Sequence, residues 1–227
     1  FSWHFVMPLI LMSIYFIMFN SGIRASPIDN FAIYLLSALF PFTFLVSCIS
    51  GGSSCIISNS AIIKKIYFPK EIVVFPFVIS NFTIMIIGYG LALLLIVISG
   101  HHIEFVSLCQ IFICLSIMLV FSTGCALIFS SLSVYFRDLQ HLLSSINLVF
   151  MTLTPLYFIP ESVTGILRTI IALNPLTYYV ELCHKIIYYN QTPSIIAWAI
   201  PLSMAIITFT IGAFTFNKLK HGFTERL

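Results

Sequence analysis

The chain has 227 residues, of which 60% are hydrophobic and only 7% are charged, and its formal net charge at pH 7 is +3. Because about a quarter of the residues in a soluble globular protein are charged, this composition excludes a soluble protein and indicates one that lies in a membrane. The ten lysines and arginines form no basic patch interleaved with aromatic residues, which excludes a nucleic-acid partner.

Six apolar segments are long enough to be membrane-spanning helices. A helix needs about 20 apolar residues to cross a hydrocarbon core of about 30 Å, and an apolar chain of this kind satisfies its backbone polar groups in lipid by forming helices. The predicted spans are, approximately, Trp3–Asn20, Phe31–Ser58, Ile72–Ser99, Phe105–Tyr135, Leu139–Ile159 and Ser194–Phe216. The sequence therefore predicts an all-α, polytopic protein with a single transmembrane domain over residues 1–227.

Lysine and arginine counts predict how the spans are oriented. One side has seven of them: Lys64, Lys65, Lys70, Arg137, Lys218, Lys220 and Arg226. The other side has three: Arg24, Arg168 and Lys185. Cytoplasmic loops carry an excess of these residues, so we expect the first side and both termini to be cytoplasmic. In the loop at residues 61–72, AIIKKIYFPKEI, Pro69 is expected to end a short helix and turn the chain into the third span.

The connection at residues 160–193 is too charged to span a membrane and too apolar for an ordinary loop. Its pattern predicts two short helices that face outward and dip into the interface as a re-entrant pair. The first should end near Leu173, and the second should begin with Asn174 as N-cap and Pro175 at its first position. Glu181 and Lys185 are four residues apart, in the order that favours an ion pair on a helix.

The sequence contains no motif that is typical of a nucleotide-binding, metal-binding or catalytic site. Gly51–Ser54 is glycine-rich but lacks the lysine and the strand-to-helix context of a phosphate loop, and small residues there favour close packing of helices. His101, His102 and Glu104 provide too few converging ligands for zinc. We therefore predict no catalytic, cofactor-binding or metal-binding residue, and a chain that is not an enzyme.

The predicted spans also carry no Asp, Glu, Lys or Arg at their centres. Ion-coupled transporters and intramembrane enzymes keep such groups at mid-depth, where they are costly and functional. If this chain moves a solute, its energy is expected to come from outside its own spans.

Stripes of weakly polar and aromatic residues follow the second and fifth predicted spans at helical spacing. The small residues in them are typical of helix packing. The alternative is a path for a large, weakly polar solute such as a sugar, whose apolar faces stack on aromatic rings. The candidate pore-lining residues are Tyr34, Ser37, Phe44, Ser144, Asn147, Phe150, Thr154 and Tyr157.

Five segments carry a resemblance to a known family, and they occur along the chain in this order: SNSAIIKKIYFPKEI, SVYFRDLQHLL, PLYFIPES, ALNPLTYYVEL and FNKLKHGF. In order and spacing, and over essentially the whole chain, they resemble permease subunits of ATP-binding-cassette exporters of polysaccharides, the O-antigen and teichoic-acid export class. The resemblance implies a six-span permease of the bacterial inner membrane, in contact with its lipids. It also implies a homodimer with two separate ATP-binding subunits, which hold ATP and Mg.

The implied substrate is a polysaccharide on a polyprenyl diphosphate lipid, with O-antigen as the first choice and a role in lipopolysaccharide biosynthesis. Export of teichoic acid, or of a drug or lipid by a related permease, are the alternatives within the same class. An integral-membrane enzyme acting on lipid-linked sugars is the alternative from another class, and the lack of converging titratable groups disfavours it. The family's basic, amphipathic N-terminal helix is expected to be absent, since the sequence opens just after its position.

The resemblance also assigns roles to residues. Residues 59–71 would carry a coupling helix that sits in a cleft of the ATPase, and the end of the fourth span would be a second contact. The coupling residues are Ile63, Lys64, Lys65, Ile66, Tyr67, Phe68, Pro69, Lys70, Glu71, Arg137 and Asp138. The outward helix pair at residues 160–193 would form a gate, with candidate residues Glu161, Asn174, Pro175, Tyr178, Glu181 and Lys185. For Lys64 and Lys65 attraction to anionic lipid, and for Ile66–Phe68 burial in the membrane surface, are the alternatives.

Overall fold

A computed structural model of the chain describes residues 10, 28, 30–64 and 69–226. The first predicted span, Trp3–Asn20, falls outside these residues except for residue 10, and so do Lys65–Phe68. All regular secondary structure of the described residues is helical. The α-helices are α1 Phe31–Ser58, α2 Ser60–Ile63, α3 Glu71–Ile98, α4 Phe105–Tyr135, α5 Leu139–Leu153, α6 Ile166–Leu173, α7 Pro175–Cys183, α8 Ile195–Leu219 and α9 Phe223–Arg226.

Four of these helices, α1, α3, α4 and α8, are long and apolar enough to cross a membrane. They correspond to the second, third, fourth and sixth predicted spans. Both ends of α1 and α4 lie where the sequence places them, α3 is displaced by one residue, and α8 continues to Leu219 instead of ending at Phe216. Hydropathy alone therefore locates these four helices, because long apolar runs separated by short polar turns leave few other boundaries.

The predicted end of the fifth span is wrong. The sequence analysis extends that helix to Ile159, whereas α5 ends at Leu153. Thr154 is extended, with φ −80° and ψ 135°, because Pro155 disfavours the helical conformation of the residue before it. With 15 residues, α5 is about 22 Å long, which is shorter than a hydrocarbon core of about 30 Å.

The central helices of the bundle are α1 and α4, and α3 and α8 lie outside them. In the most apolar window of each helix, 72% of the α1 residues and 67% of the α4 residues are buried within the chain, against 28% for α3 and 17% for α8. Helix α4 packs against α1 and α8, and α3 packs mainly against α1. The exposed apolar faces of α3 and α8 are consistent with contact with lipid.

Glycines allow α4 and α8 to approach closely. A Cβ atom on Gly124 would lie 2.5 Å from the backbone nitrogen of Phe209, and one on Gly212 would lie 2.5 Å from the carbonyl oxygen of Gly124. Gly52 packs in the same way on Ala126, which confirms the packing role expected for the GGSS stretch. Small residues at such crossings let two backbones come into van der Waals contact in lipid.

The bundle has two chemically different ends. Helices α1, α4 and α8 finish, and α3 and α5 begin, at one end, where the Tyr135 hydroxyl donates to the Leu219 carbonyl over 3.1 Å. We call this the basic end, because Lys70, Arg137 and Lys220 lie there. Helices α6 and α7 lie at the opposite end, which we call the hairpin end.

Candidate functional site

At the basic end, the first residues of α3 contact the C-terminal part of the chain. Lys220 Nζ lies 2.7 Å from Glu71 Oε1 and donates to Asn217 Oδ1 over 2.7 Å. Lys70 Nζ donates to the Lys220 carbonyl. Burial lowers the pKa of the Lys70 ammonium, and the charge of Lys220 adds to this effect while that of Glu71 opposes it. Lys220 therefore pairs with the Glu71 carboxylate, and Lys70 joins this partly buried cluster through the Lys220 carbonyl.

The turn between α4 and α5 borders an open groove of about 740 Å³ at the same end. Arg137 and Asp138 are exposed on its rim. The Arg226 guanidinium carbon lies 4.7 Å from the centroid of the Tyr135 ring, a cation–π distance. The lining residues are Leu132, Val134, Tyr135, Phe136, Arg137, Asp138, Leu139, Leu142 and Arg226. The groove is therefore largely apolar, with charges of both signs at its edge.

The structure covers part of the predicted coupling loop. The short helix α2 ends at Ile63, whose side chain is buried, and Lys64 and Pro69 are exposed. The described short helix thus ends at Ile63, with Lys64 as its C-cap, and not at Pro69 as predicted. Residues 65–68 lie outside the described residues, so the expected apolar face of Ile66–Phe68 stays a prediction.

The candidate pore-lining residues of α1 lie inside the single chain. Tyr34, Ser37 and Phe44 are 1%, 0% and 3% exposed. The Phe44 ring packs edge-on against Phe82 of α3, with centroids 5.5 Å apart. In this arrangement, these three side chains line no open path, and a pore-lining role for them stays a prediction.

The candidate pore-lining residues of α5 and of the segment after it have varied surroundings. Ser144 is exposed, Phe150 and Tyr157 are half-buried, and Thr154 is fully buried. The Oδ1 atom of Asn147 is buried and accepts no hydrogen bond from the described residues. The structure therefore brings Tyr157 against the buried cluster that contains Tyr34, whereas Ser144 is exposed.

The break between the two helices at the hairpin end lies where the sequence predicts it. Helix α6 ends at Leu173, and the Asn174 side chain caps α7 by accepting from the Leu176 backbone N–H over 3.0 Å. Pro175 is the first residue of α7, and Lys185 Nζ lies 3.9 Å from Glu181 Oε2. Glu161 belongs to the 3₁₀ turn Pro160–Ser162. The predicted capping and pairing are thus confirmed, while a gating role stays a prediction.

Further contacts fix this helix pair to α5. Asn174 Nδ2 donates to Thr154 Oγ1 over 2.9 Å, and both side chains are buried. The Tyr178 hydroxyl donates to the Ala172 carbonyl over 2.8 Å. Asn174 therefore both starts α7 and connects it to the extended segment that follows α5.

A buried polar network at the hairpin end was not predicted from the sequence. The His184 ring lies between Tyr34 and Ser37, and Nε2 donates to the Pro155 carbonyl over 3.1 Å while Nδ1 lies 2.8 Å from Ser37 Oγ. The Tyr34 hydroxyl donates to the carbonyls of Pro155 and Phe158 over 3.1 and 3.0 Å. The only sequence signal was a lone histidine in the apolar run after Glu181.

This network holds the backbone at Pro155 and Phe158 in place, and it offers no reactive group to a substrate. Ser37 and His184 are 0% and 3% exposed, so no substrate can reach them in this arrangement. Burial lowers the pKa of the His184 imidazole to about 3. Across residues 30–64 and 69–226, no group of three or more His, Cys, Asp or Glu side chains is placed to hold a metal ion.

Comparison with known proteins gives a family match and several relatives. The model of the ABC-2 type transporter family matches residues 1–188. The chain is 27% identical to the O-antigen export system permease protein RfbA of Klebsiella pneumoniae, over 99% of this chain and 86% of the relative. It is 22% identical to the protein of the same name from Myxococcus xanthus, over 100% and 87%, and 27% identical to the polysialic acid transport protein KpsM of Escherichia coli, over 71% and 63%.

Proposed function

The chain belongs to the ABC-2 type transporter family, and we propose that it is the permease subunit of an ATP-driven exporter that moves a polyprenyl-diphosphate-linked polysaccharide, with O-antigen as the first candidate. One observation carries this proposal, namely the similarity over nearly the whole chain to proteins named as O-antigen export permeases. A relative named as a polysialic acid transport protein supports the wider class of polysaccharide substrates.

We propose six spans in the inner membrane, with both termini in the cytoplasm. The four long apolar helices support this arrangement. A first span before residue 28, and a fifth formed by α5 with the extended segment after it, would complete the six. The placement of Lys70, Arg137 and Lys220 at one end of the bundle favours the basic end as the cytoplasmic one.

In the proposed assembly, two copies of the chain form the pore, and two separate subunits bind ATP and Mg. The basic end would dock on these subunits through residues 59–71 and through Arg137 and Asp138. Closure of the ATPase would move this end and shift the helices between two packings, which opens a path between the two permeases. No bond is made or broken in this chain.

The α5 face that carries Ser144 and Asn147 is the stronger candidate for the pore wall. Ser144 is exposed, and the buried Asn147 Oδ1 has an unused acceptor site in the single chain, which a second copy or a sugar hydroxyl could fill. The α1 candidates would line a pore only after Tyr34 and Ser37 separate from His184 and Phe44 separates from Phe82 of α3. The helix pair at the hairpin end would close the outer mouth.

Deletion of the gene in the source bacterium tests the proposed function. We expect loss of the long surface glycan, its accumulation inside the cell, and recovery with a plasmid copy. Unchanged surface glycan together with altered drug sensitivity would instead indicate a drug or lipid exporter. Loss of an anionic wall polymer would indicate teichoic-acid export, and altered glycan composition without accumulation would indicate an enzyme on lipid-linked sugars.

The coupling role is tested separately, by co-purification with the ATP-binding subunit of the exporter. Removal of residues 66–68 together with charge reversal at Lys70 and Glu71 should abolish ATPase binding. Normal binding by this variant would count against the loop as the docking element. Lys218→Glu, which reverses an exposed charge at the same end, is the matched control and should bind normally.

A further inference from the structure

The C-terminal residues 220–226, which we call the tail, lie between two segments of the basic end that are far apart in sequence. On one side the tail contacts Lys70 and Glu71, where α3 begins. On the other side it contacts Tyr135, where α4 ends. These are the places at which the proposed coupling loop enters the bundle and at which the turn with Arg137 and Asp138 leaves it.

Polar contacts join the tail to α3. Lys220 Nζ is 2.7 Å from Glu71 Oε1, and the two side chains are 30% and 28% exposed. Lys70 donates in return to the Lys220 carbonyl, so the connection uses both the side chain and the backbone of one tail residue. Because the pair is only partly exposed, it is screened less by solvent than a surface ion pair.

An aromatic cluster joins the tail to α4 and α8. Phe223 is fully buried, with its ring centroid 5.7 Å from that of Phe216 and 6.5 Å from that of Tyr135. The Lys70 ammonium lies 5.3 Å from the centroid of the same Phe223 ring. Phe223 therefore touches the start of α3, the end of α4 and the end of α8 at once.

Close packing holds the turn that precedes Phe223. A Cβ atom on Gly222 would clash with the Tyr135 hydroxyl, which itself donates to the Leu219 carbonyl. Arg226 then covers the outer face of the Tyr135 ring. The tail is thus held at Lys220, Phe223 and Arg226 by groups from α3, α4 and α8.

We propose that the tail is a strut that sets the position of the coupling loop relative to the Arg137–Asp138 turn, with Lys220 and Phe223 as its positioning residues. This inference rests on the proposed function. Direct contacts between α3 and α4 are fewer than those that each makes with α1. A displacement of the start of α3 would therefore be transmitted through the tail to α4 and α8. The coupling loop and the Arg137–Asp138 turn, which are the two proposed ATPase contacts, would then move as one unit.

A charge-swap cycle on the intact exporter, reconstituted with its ATPase, tests the strut. Glu71→Lys and Lys220→Glu each place like charges together, and we expect each to lower export per ATP hydrolysed about fivefold or more. The double variant Glu71→Lys with Lys220→Glu restores an attractive pair and should recover most of the export. Lys218→Glu, at an exposed lysine two residues from Lys220, should leave the ratio unchanged.

The outcomes separate a strut from a merely structural contact. ATPase binding and ATP hydrolysis should persist in Lys220→Glu, because Lys220 lies outside residues 59–71 and outside the Arg137–Asp138 turn, while export falls. Equal losses of folding, binding and export in Lys220→Glu, or no recovery of export in the double variant, would overturn the proposal. So would full export by both single variants.

A cysteine pair provides a measurement that does not depend on transport. Ile72→Cys with His221→Cys, at two exposed positions next to the Glu71–Lys220 pair, should cross-link through a short bifunctional reagent in the purified exporter, and export should survive the cross-link, since the two segments move together. Loss of export on cross-linking, or no cross-link at all, contradicts the strut. A wild-type exporter that moves no glycan would instead contradict the proposed function, whatever the cross-linking result.

Discussion

The His184 ring lies parallel to the Tyr34 ring, with the two centroids 3.8 Å apart and the ring planes at 7°. Both rings also contact the carbonyl of Pro155, His184 through Nε2 and Tyr34 through its hydroxyl. The pair therefore holds the extended segment after α5 against the first turns of α1. At the hairpin end, this contact joins three parts of the chain that are distant in sequence.

Acid should weaken the fold through His184. Burial lowers the pKa of this imidazole from its ordinary value of 6.5 to about 3, so the unfolded chain binds a proton that the folded chain excludes. The free energy of unfolding therefore falls as the pH drops below 6.5, by about 2 kcal/mol at pH 5 relative to pH 7.5. Thermal unfolding in detergent at the two pH values measures this loss, and His184→Gln should remove most of it. An unchanged pH dependence in that variant would contradict the assignment.

Removing the Tyr34 hydroxyl should loosen the segment after α5. Tyr34→Phe keeps the ring on His184 but withdraws the donor from the carbonyls of Pro155 and Phe158, which should lower the free energy of unfolding by about 1–2 kcal/mol. Urea or thermal unfolding measures the loss. Tyr178→Phe is the control, because its hydroxyl bonds near the surface and should matter less. Equal losses in the free energy of unfolding for the two variants would contradict the prediction that the buried hydrogen bonds of Tyr34 stabilise the fold more than the exposed one of Tyr178.

Asn174 has two separable roles. Asn174→Ala removes the cap of α7 and the donor to Thr154, and we expect a loss of stability of about 2 kcal/mol. Asn174→Asp keeps an acceptor for the cap but cannot donate to Thr154, so it should lose about half as much. Thr154→Val combined with Asn174→Asp should cost little more than either change alone, and strict additivity would exclude a direct contact between the two side chains.

The crossing of α4 and α8 should not tolerate a side chain at Gly124. Gly124→Val places methyl groups where the backbone of α8 already lies, and we expect a strong loss of folded protein in the membrane, by more than about 3 kcal/mol. Gly90→Ala is the matched control, because a Cβ atom there would meet nothing within 4 Å. It should be neutral or stabilising by up to about 1 kcal/mol. Size-exclusion profiles and thermal unfolding of both variants measure the difference.

Helix positions were largely predictable from the sequence because hydropathy and capping are local. The run from Phe105 to Tyr135 has polar turns at both ends, and Asn174 followed by proline is a local signal for a helix start. The end of α5 was missed because an apolar run after Pro155 favours a span by composition, while the backbone preference of Thr154 ends the helix. At this point the hydropathy pattern favours a longer helix, whereas the steric effect of Pro155 on Thr154 ends it.

Contacts between distant residues could not be predicted. Lys220 and Glu71 are 149 residues apart, and the charge pattern alone placed Lys220 on a side of the membrane without giving it a partner. The stripe on α1 was seen in the sequence, but whether Tyr34 and Ser37 face a pore or His184 depends on tertiary packing, which periodicity does not determine. Of the two glycines at residues 88 and 90 of α3, a Cβ atom on Gly88 would meet Phe40 whereas one on Gly90 would meet nothing within 4 Å, a difference that the sequence does not indicate.

The turn between α4 and α5 should contribute to binding of the ATPase independently of the coupling loop. Arg137 and Asp138 are exposed on the rim of an apolar groove, an arrangement in which charged groups can surround an apolar anchor from a partner. Reversal of both charges, Arg137→Glu with Asp138→Lys, should weaken ATPase binding by about tenfold or more, while Lys218→Glu at the same end should not. Titration of detergent-solubilised permease with the labelled ATPase gives both dissociation constants. Unchanged affinity in the double variant would confine docking to residues 59–71 and leave this turn without a role in it.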